Sequence, residues 1–255
     1  MVRGKAKDKG RQGSGFFALY LSPFVESATP TLANNLLFLS NTTLIENLTM
    51  LKKITQTGLL ILLFSCAFLA KAESQGYETL SVPQPTQNPD KVEVIEFFWY
   101  GCPHCYSFEP ILEKWAKNLP ANVEFIRQPA AFNELWSKHA KAYYTAEALG
   151  VVDKVHADLF DAIQNKNEKL DTEAALAKFF AAHGVNESQF HEAYSSFAVD
   201  AKLRQSPMMA SRYGITGVPA IIINGKYRTN GTLAGSHEKM IEVMDKLIKQ
   251  ESAKK

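Results

Sequence analysis

Cysteine is scarce in this chain: three in 255 residues, at positions 66, 102 and 105. Neither a second Cys-x-x-Cys nor a His-x-x-x-His is present, so a four-ligand zinc site has no second half. Covalent haem is excluded too, because Tyr106 rather than histidine follows Cys105. Charge of one sign is also lacking. The formal net charge is +2, and residues 1–72 carry eight Lys/Arg against three Asp/Glu. The remainder holds 20 basic and 23 acidic residues, a net of −3, which gives no reason to expect nucleic acid as a partner. The apolar run at 58–70 has 13 residues, short of the roughly 20 that span a bilayer. No internal repeat or low-complexity tract is present.

What is present is enough for a sizeable core: 46% of the residues are hydrophobic, sufficient for one or two domains. Met50-Leu51-Lys52-Lys53 reads as the basic start of a signal peptide, 58–70 as its apolar stretch, and Ala70-Lys71-Ala72 as its small-x-small cleavage site. We therefore expect export to the periplasm and cleavage after Ala72, leaving Glu73 first. On this reading Met50 starts the natural chain and 1–49 is translated upstream sequence without regular structure; the alternative is a disordered N-terminal extension. Leu63-Phe64-Ser65-Cys66 resembles a lipoprotein box, but Phe64 fits poorly where small or β-branched residues are usual. Cys66 is then expected to leave with the signal peptide.

Along the mature chain, Tyr77 to Val82 reads as an edge strand. Lys91 to Tyr100 reads as a central strand with β-branched and aromatic residues on both faces. A helix from Pro103 to Lys117 begins with proline where a missing N–H costs nothing, and Val123 to Arg127 completes a right-handed βαβ unit. Residues 131–213 read as helix only. Segments run over Trp136–Leu149 and Val152–Gln164. Another is capped by Asp171 and closed by Gly184, and a further one is capped by Asn186 and presents Phe190, Tyr194 and Phe197 to a core. His139, His156, His183 and His191 are expected at its surface. The sheet resumes at Pro219–Ile223, turns at Asn224-Gly225 and returns through Lys226–Arg228. Ser236 to Lys249 closes the chain as a helix. The architecture is a discontinuous α/β domain, 73–130 with 214–255, carrying an inserted all-helical domain, 131–213.

The chemistry concentrates at Cys102-Pro103-His104-Cys105, a strand-then-helix junction carrying a dithiol. Residues three apart at a helix start share one side, within reach of a disulfide. Cys102, at the helix N-terminus, sits where orphan N–H groups and the positive dipole end favour a thiolate. His104, when protonated, adds to that. Cys105, one turn in, suits the resolving thiol. A substrate thiolate would attack the Cys102 sulfur to form a mixed disulfide, and a second substrate thiolate would release Cys102 as a stabilised thiolate. A purely structural disulfide is the weaker reading, since so small a loop constrains little of the unfolded chain.

Glu96-Phe97-Phe98 ahead of Cys102-Pro103-His104-Cys105-Tyr106, with Gly217-Val218-Pro219-Ala220 and Asn224-Gly225-Lys226-Tyr227 later, resembles the DsbA family of periplasmic thiol–disulfide oxidoreductases. The resemblance covers about residues 77–250. It implies a thioredoxin fold with the helical insertion and an oxidising couple without further cofactor. It also implies a cis Pro219 that lets Val218 pair with an extended substrate peptide beside Cys102. Glu96, in an apolar strand where an unpaired carboxylate would be costly, would move protons to and from Cys105. Glu109 would share that role, and Arg127 would be their basic partner. Trp99-Tyr100-Gly101 departs from the best-known members, and its aromatic pair suits a hydrophobic lip for unfolded substrates. The implied partners are reduced exported proteins and a quinone-linked membrane reoxidant of the DsbB type, with the protein expected to be a monomer. A reductase or isomerase using the same dithiol, or a peptide-binding chaperone without turnover, are the alternatives.

Overall fold

The computed structural model describes Glu46, residues 48–53, 55 and 56, and residues 75–254. The chain forms two units, Met1–Lys71 and Ala72–Lys255. In the first, every described residue is helical and exposed. The helix thus includes Glu46 and residues 48 and 49, ahead of Met50, where no regular element is expected from the sequence. The apolar stretch 58–70, Cys66, the cleavage site after Ala72 and Glu73 lie outside the described residues.

The second unit is built around β2 (Val92–Phe98), whose seven residues are all buried. β-branched and aromatic residues on both faces, interrupted only by Glu93 and Glu96, suit a strand covered on both sides. It pairs in parallel with β3 (Val123–Pro129) and antiparallel with β4 (Ala220–Ile223), giving a sheet ordered β1-β5-β4-β2-β3. Helix α1 (Pro103–Ala116) makes the crossover between the parallel strands. β1 (Glu78–Thr79) is a two-residue edge strand on β5 (Tyr227–Asn230). β4 and β5 are joined through Asn224, Gly225 and Lys226; Asn224 and Gly225 are both left-handed at φ 51 and 63°, and Lys226 N–H closes the turn onto the Ile223 carbonyl at 3.0 Å. A side chain at 225 would also strike the Gln84 carbonyl.

Between β3 and β4 run α2 (Glu134–Ala148), α3 (Val152–Gln164), α4 (Glu173–Ala182), α5 (Glu187–Tyr194) and α6 (Phe197–Arg212). After the hairpin come α7 (Gly231–Ala234) and α8 (His237–Ser252), the latter capped by Ser236. Phe160, Leu176, Phe180 and Phe190 fill the core of the inserted helices, and that core continues into Phe98, Cys102 and Cys105. A separate core, including Val94, Phe108, Leu112 and Met244, packs α1 and α8 on the sheet. The dithiol therefore lies at the seam between the helical insertion and the sheet.

Local details depart from the sequence reading where side chains compete. Thr172, not Asp171, caps α4, its hydroxyl accepting the Ala175 N–H at 3.2 Å. Phe197 does not continue the Phe190–Tyr194 stripe. The chain breaks at Ser195 and restarts at Ser196, which caps α6 through Val199 N–H and leaves Phe197 81% exposed. β3 runs on to Pro129, tolerated because β3 is an edge strand. His139 and His156 are buried rather than at the surface.

The cap assignment is testable. Replacing Thr172 with Ala should cost about 1 kcal/mol, whereas Asp171→Ala should stay within about 0.5 kcal/mol, both read from urea unfolding midpoints at constant slope.

Candidate active site

β2 ends at Phe98, and the chain turns through Trp99, Tyr100 and Gly101 into α1. The Trp99 ring folds over Gly101, where any side chain would collide with it, and stacks on Trp136 of α2 at 4.2 Å and 10°. Trp99 is thus half-buried against the insertion. Tyr100 corrects the expectation of an exposed lip: it is 1% exposed. Its hydroxyl lies 2.7 Å from His156 Nδ1, and its carbonyl accepts from Gln164 at 2.7 Å. Tyr100 ties the active-site turn to α3 and does not face solvent.

Cys102 is the N-cap of α1, and its Sγ accepts the Cys105 N–H at 3.3 Å. Pro103 takes the first helical position and, like His104, is exposed. The Cys102 thiol also donates to the Val218 carbonyl at 3.4 Å, and Val218-Pro219 is a cis peptide. So the loop 116 residues downstream meets the sulfur, as the family resemblance implies. Both thiols are free, but they are unequal. Cys105 is fully buried and faces the interior. The hydrogen bond from the Cys105 thiol does most to pull the Cys102 thiol from its ordinary 9.0 down to about 6. It works against burial and is helped by the N–H groups of Cys105 and His104 and by the His104 charge. Burial, and then the neighbouring Cys102 sulfur, push Cys105 the other way.

Beneath the dithiol lies a buried charge cluster. The β2–β3 register places Glu96 opposite Arg127, and Arg127 Nε approaches Glu96 Oε2 at 3.6 Å. The same guanidinium donates through Nη2 to Glu109 at 2.8 Å and to Glu113 at 2.7 Å, both on α1. Burial, reinforced by the charge of Glu109, pushes the Glu96 carboxyl well up. Burial would raise Glu109 as well, but His156 and Arg127 beside it override that and hold it low. Glu96, Glu109 and Arg127 are thus brought together, and the charge of Glu96 acts on both sulfurs.

Two members of the cluster escape the sequence reading. Glu113 is visible in retrospect, one turn beyond Glu109 on the same helix face. His156 carries no local signal, since it arrives from α3, 47 positions beyond Glu109. On the other side of Cys102, an open groove of ≈ 760 Å³ is lined by His104, Thr216, Val218, Pro219, Arg228 and His237 among others.

This sheet, interrupted by helices and carrying a low-pKa N-cap cysteine beside a cis-proline, defines a thiol–disulfide oxidoreductase of thioredoxin fold. Residues 93–240 match the family model described as a DSBA-like thioredoxin domain. The thiol:disulfide interchange protein DsbA of Pseudomonas aeruginosa is 42% identical over 177 residues, covering 69% of this chain and 84% of that protein. The Burkholderia cepacia protein of the same name is 41% identical over 211 residues, 80% of this chain and 100% of its own length. The crystal structure of Pseudomonas aeruginosa DsbA superposes with a TM-score of 0.68, covering 71% of this chain and 95% of that one. The chain belongs to the DsbA family.

The thiol asymmetry gives a pH signature. Thiolate absorbance of the reduced protein should titrate with a midpoint of about 6, and His104→Ala should move it upward. Because the folded pKa is depressed, the thiolate stabilises the reduced form above the ordinary thiol pKa, and that stabilisation is lost as pH falls through about 6. The melting temperature of reduced relative to oxidised protein should fall over that interval.

Proposed function

We propose that the protein is a disulfide oxidase that donates a Cys102–Cys105 disulfide to reduced, extended protein chains. The observation that carries this reading is the Cys102 sulfur, held between the Cys105 N–H and the carbonyl of Val218, a residue that lines the groove. A substrate thiolate attacks Cys102 Sγ. The S–S bond breaks, its electron pair passes to Cys105 Sγ, and that buried sulfur takes a proton. A second substrate thiolate then attacks the substrate sulfur of the mixed disulfide, and Cys102 leaves as a thiolate. Every ~1.4 kcal/mol by which the reduced form is preferentially stabilised raises the potential by about 30 mV. The arrangement favouring the Cys102 thiolate therefore makes the couple oxidising.

In this reading Pro103 starts the helix that polarises Cys102, and His104 adds charge to it. Val218 offers backbone pairing to the substrate, with Pro219 holding its carbonyl at the sulfur. Trp99, stacked on Trp136, forms the rim on the insertion side. Glu96, buried and inclined to keep its proton, supplies the proton that Cys105 takes up, with Glu109 as its charged companion. Exchange among sulfurs needs no metal or organic cofactor. The signal-peptide pattern supports action on exported proteins in the periplasm after cleavage at Ala72. A quinone-linked membrane protein of the DsbB type would restore the disulfide of the monomer.

Oxidised protein mixed with a reduced dithiol peptide should return peptide disulfide stoichiometrically. Cys102→Ser and Cys105→Ser should each abolish the reaction, since neither can hold the disulfide; given glutathione disulfide as oxidant, Cys105→Ser should instead keep glutathione at Cys102 as a mixed disulfide, seen by mass. Equilibration with glutathione should leave the couple reduced; a strongly reducing potential would overturn the oxidase reading.

A further inference from the structure

His156 belongs to α3 of the insertion, yet its ring sits inside the charge cluster of the sheet unit. The groups facing it come from four elements: Tyr100 from the active-site turn, Glu109 and Glu113 from α1, Arg127 from β3, and Tyr143 from α2. Phe98 and Phe160 pack edge-on against the imidazole at 5.2 Å each, which fixes its plane. Nδ1 lies 2.7 Å from the Tyr100 hydroxyl, and Nε2 lies 3.4 Å from Glu109 Oε1. Nε2 makes no hydrogen bond of its own and faces the Glu109 carboxylate, so the neutral ring places its proton on Nε2 when Nδ1 accepts from the phenol. Burial favours the neutral ring, which matches this tautomer. A cavity of ≈ 340 Å³ between α1 and α3 is lined by His156, Glu109, Glu113, Arg127, Tyr106 and Phe160, room for several water molecules.

We propose that His156 is a positioning residue for the buried acids. By presenting Nε2–H to Glu109, it keeps the negative charge of the pair on Glu109 and the transferable proton on Glu96, next to the dithiol. This rests on the oxidase reading. When the substrate thiolate displaces Cys105 from Cys102, the departing sulfur takes the Glu96 proton, giving a Cys105 thiol and a Glu96 carboxylate. Water in the cavity then returns a proton to the cluster. Without His156 the negative charge shifts from Glu109 toward Glu96, which becomes a poorer acid for the departing sulfur.

The test compares His156→Phe with the wild type. The oxidised proteins react with one reduced single-thiol peptide across a pH series, and the ratio of mixed-disulfide formation rates is read. Ionisation of the peptide thiol cancels in that ratio. The ratio should be near unity at acid pH, where both carboxyls are protonated, and should fall toward alkaline pH by up to about 100-fold, the lower end of what general-acid assistance contributes. His156→Gln, whose amide can still donate to Glu109, should recover most of the loss. Tyr100→Phe, which removes the phenol that orients the ring, should shift the ratio in the same direction by less. A pH-independent ratio would overturn the inference while leaving the oxidase reading intact. Failure of wild-type protein to form the mixed disulfide would overturn the oxidase reading itself. Should His156→Phe not fold, the Tyr100→Phe and His156→Gln series decides, and a flat Tyr100→Phe ratio counts against the role.

Discussion

Arg127 reaches three carboxylates from one edge strand: Glu96 on β2 and Glu109 and Glu113 on α1. The buried pairs with Glu96 and Glu109 add little net stability, because desolvation offsets attraction, but separating them leaves an uncompensated charge. Their effect is to fix one arrangement. A one-residue slip between β2 and β3 would turn Arg127 to the opposite face and strand Glu96 in an apolar interior. A rotation of α1 would carry Glu109 and Glu113 away together. The helix that bears the dithiol is thus held over the sheet by charge as well as by Phe108 and Leu112.

That fixed helix makes two chemically identical thiols different. Cys102 is at the cap, where N–H groups point at its sulfur and the Val218 carbonyl meets it from another part of the chain. Cys105, one turn later, faces the continuous core of the insertion. The sulfur at the cap is polarised toward the thiolate, and the sulfur one turn later is enclosed. Local backbone geometry and long-range packing divide the labour between them.

The sequence makes the local part of this legible. The Cys-x-x-Cys at a strand–helix junction, the Asn224-Gly225 turn, the Asn186 cap and the span of α3 follow from residue patterns that act over a few positions. Misread features are those decided by a competitor nearby or a partner far away. Thr172 displaces Asp171 as a cap by one residue. Ser196 restarts a helix and exposes Phe197. Tyr100 looks like a surface aromatic until His156 and Gln164, 56 and 64 positions on, close over it. Periodicity marks His156 as one residue of an amphipathic helix; only the docking of that helix on α1 gives it a charged neighbour.

Both outer edges of the sheet carry a feature that limits extension. On one side β1 has only two residues. On the other, β3 ends in Pro129, which lacks an N–H to offer and whose carbonyl is occupied by the Ser206 hydroxyl at 2.6 Å. A protein that handles unfolded chains meets many segments able to add themselves to an open sheet. Short and proline-ended edges make the fold itself a poorer seed for such addition.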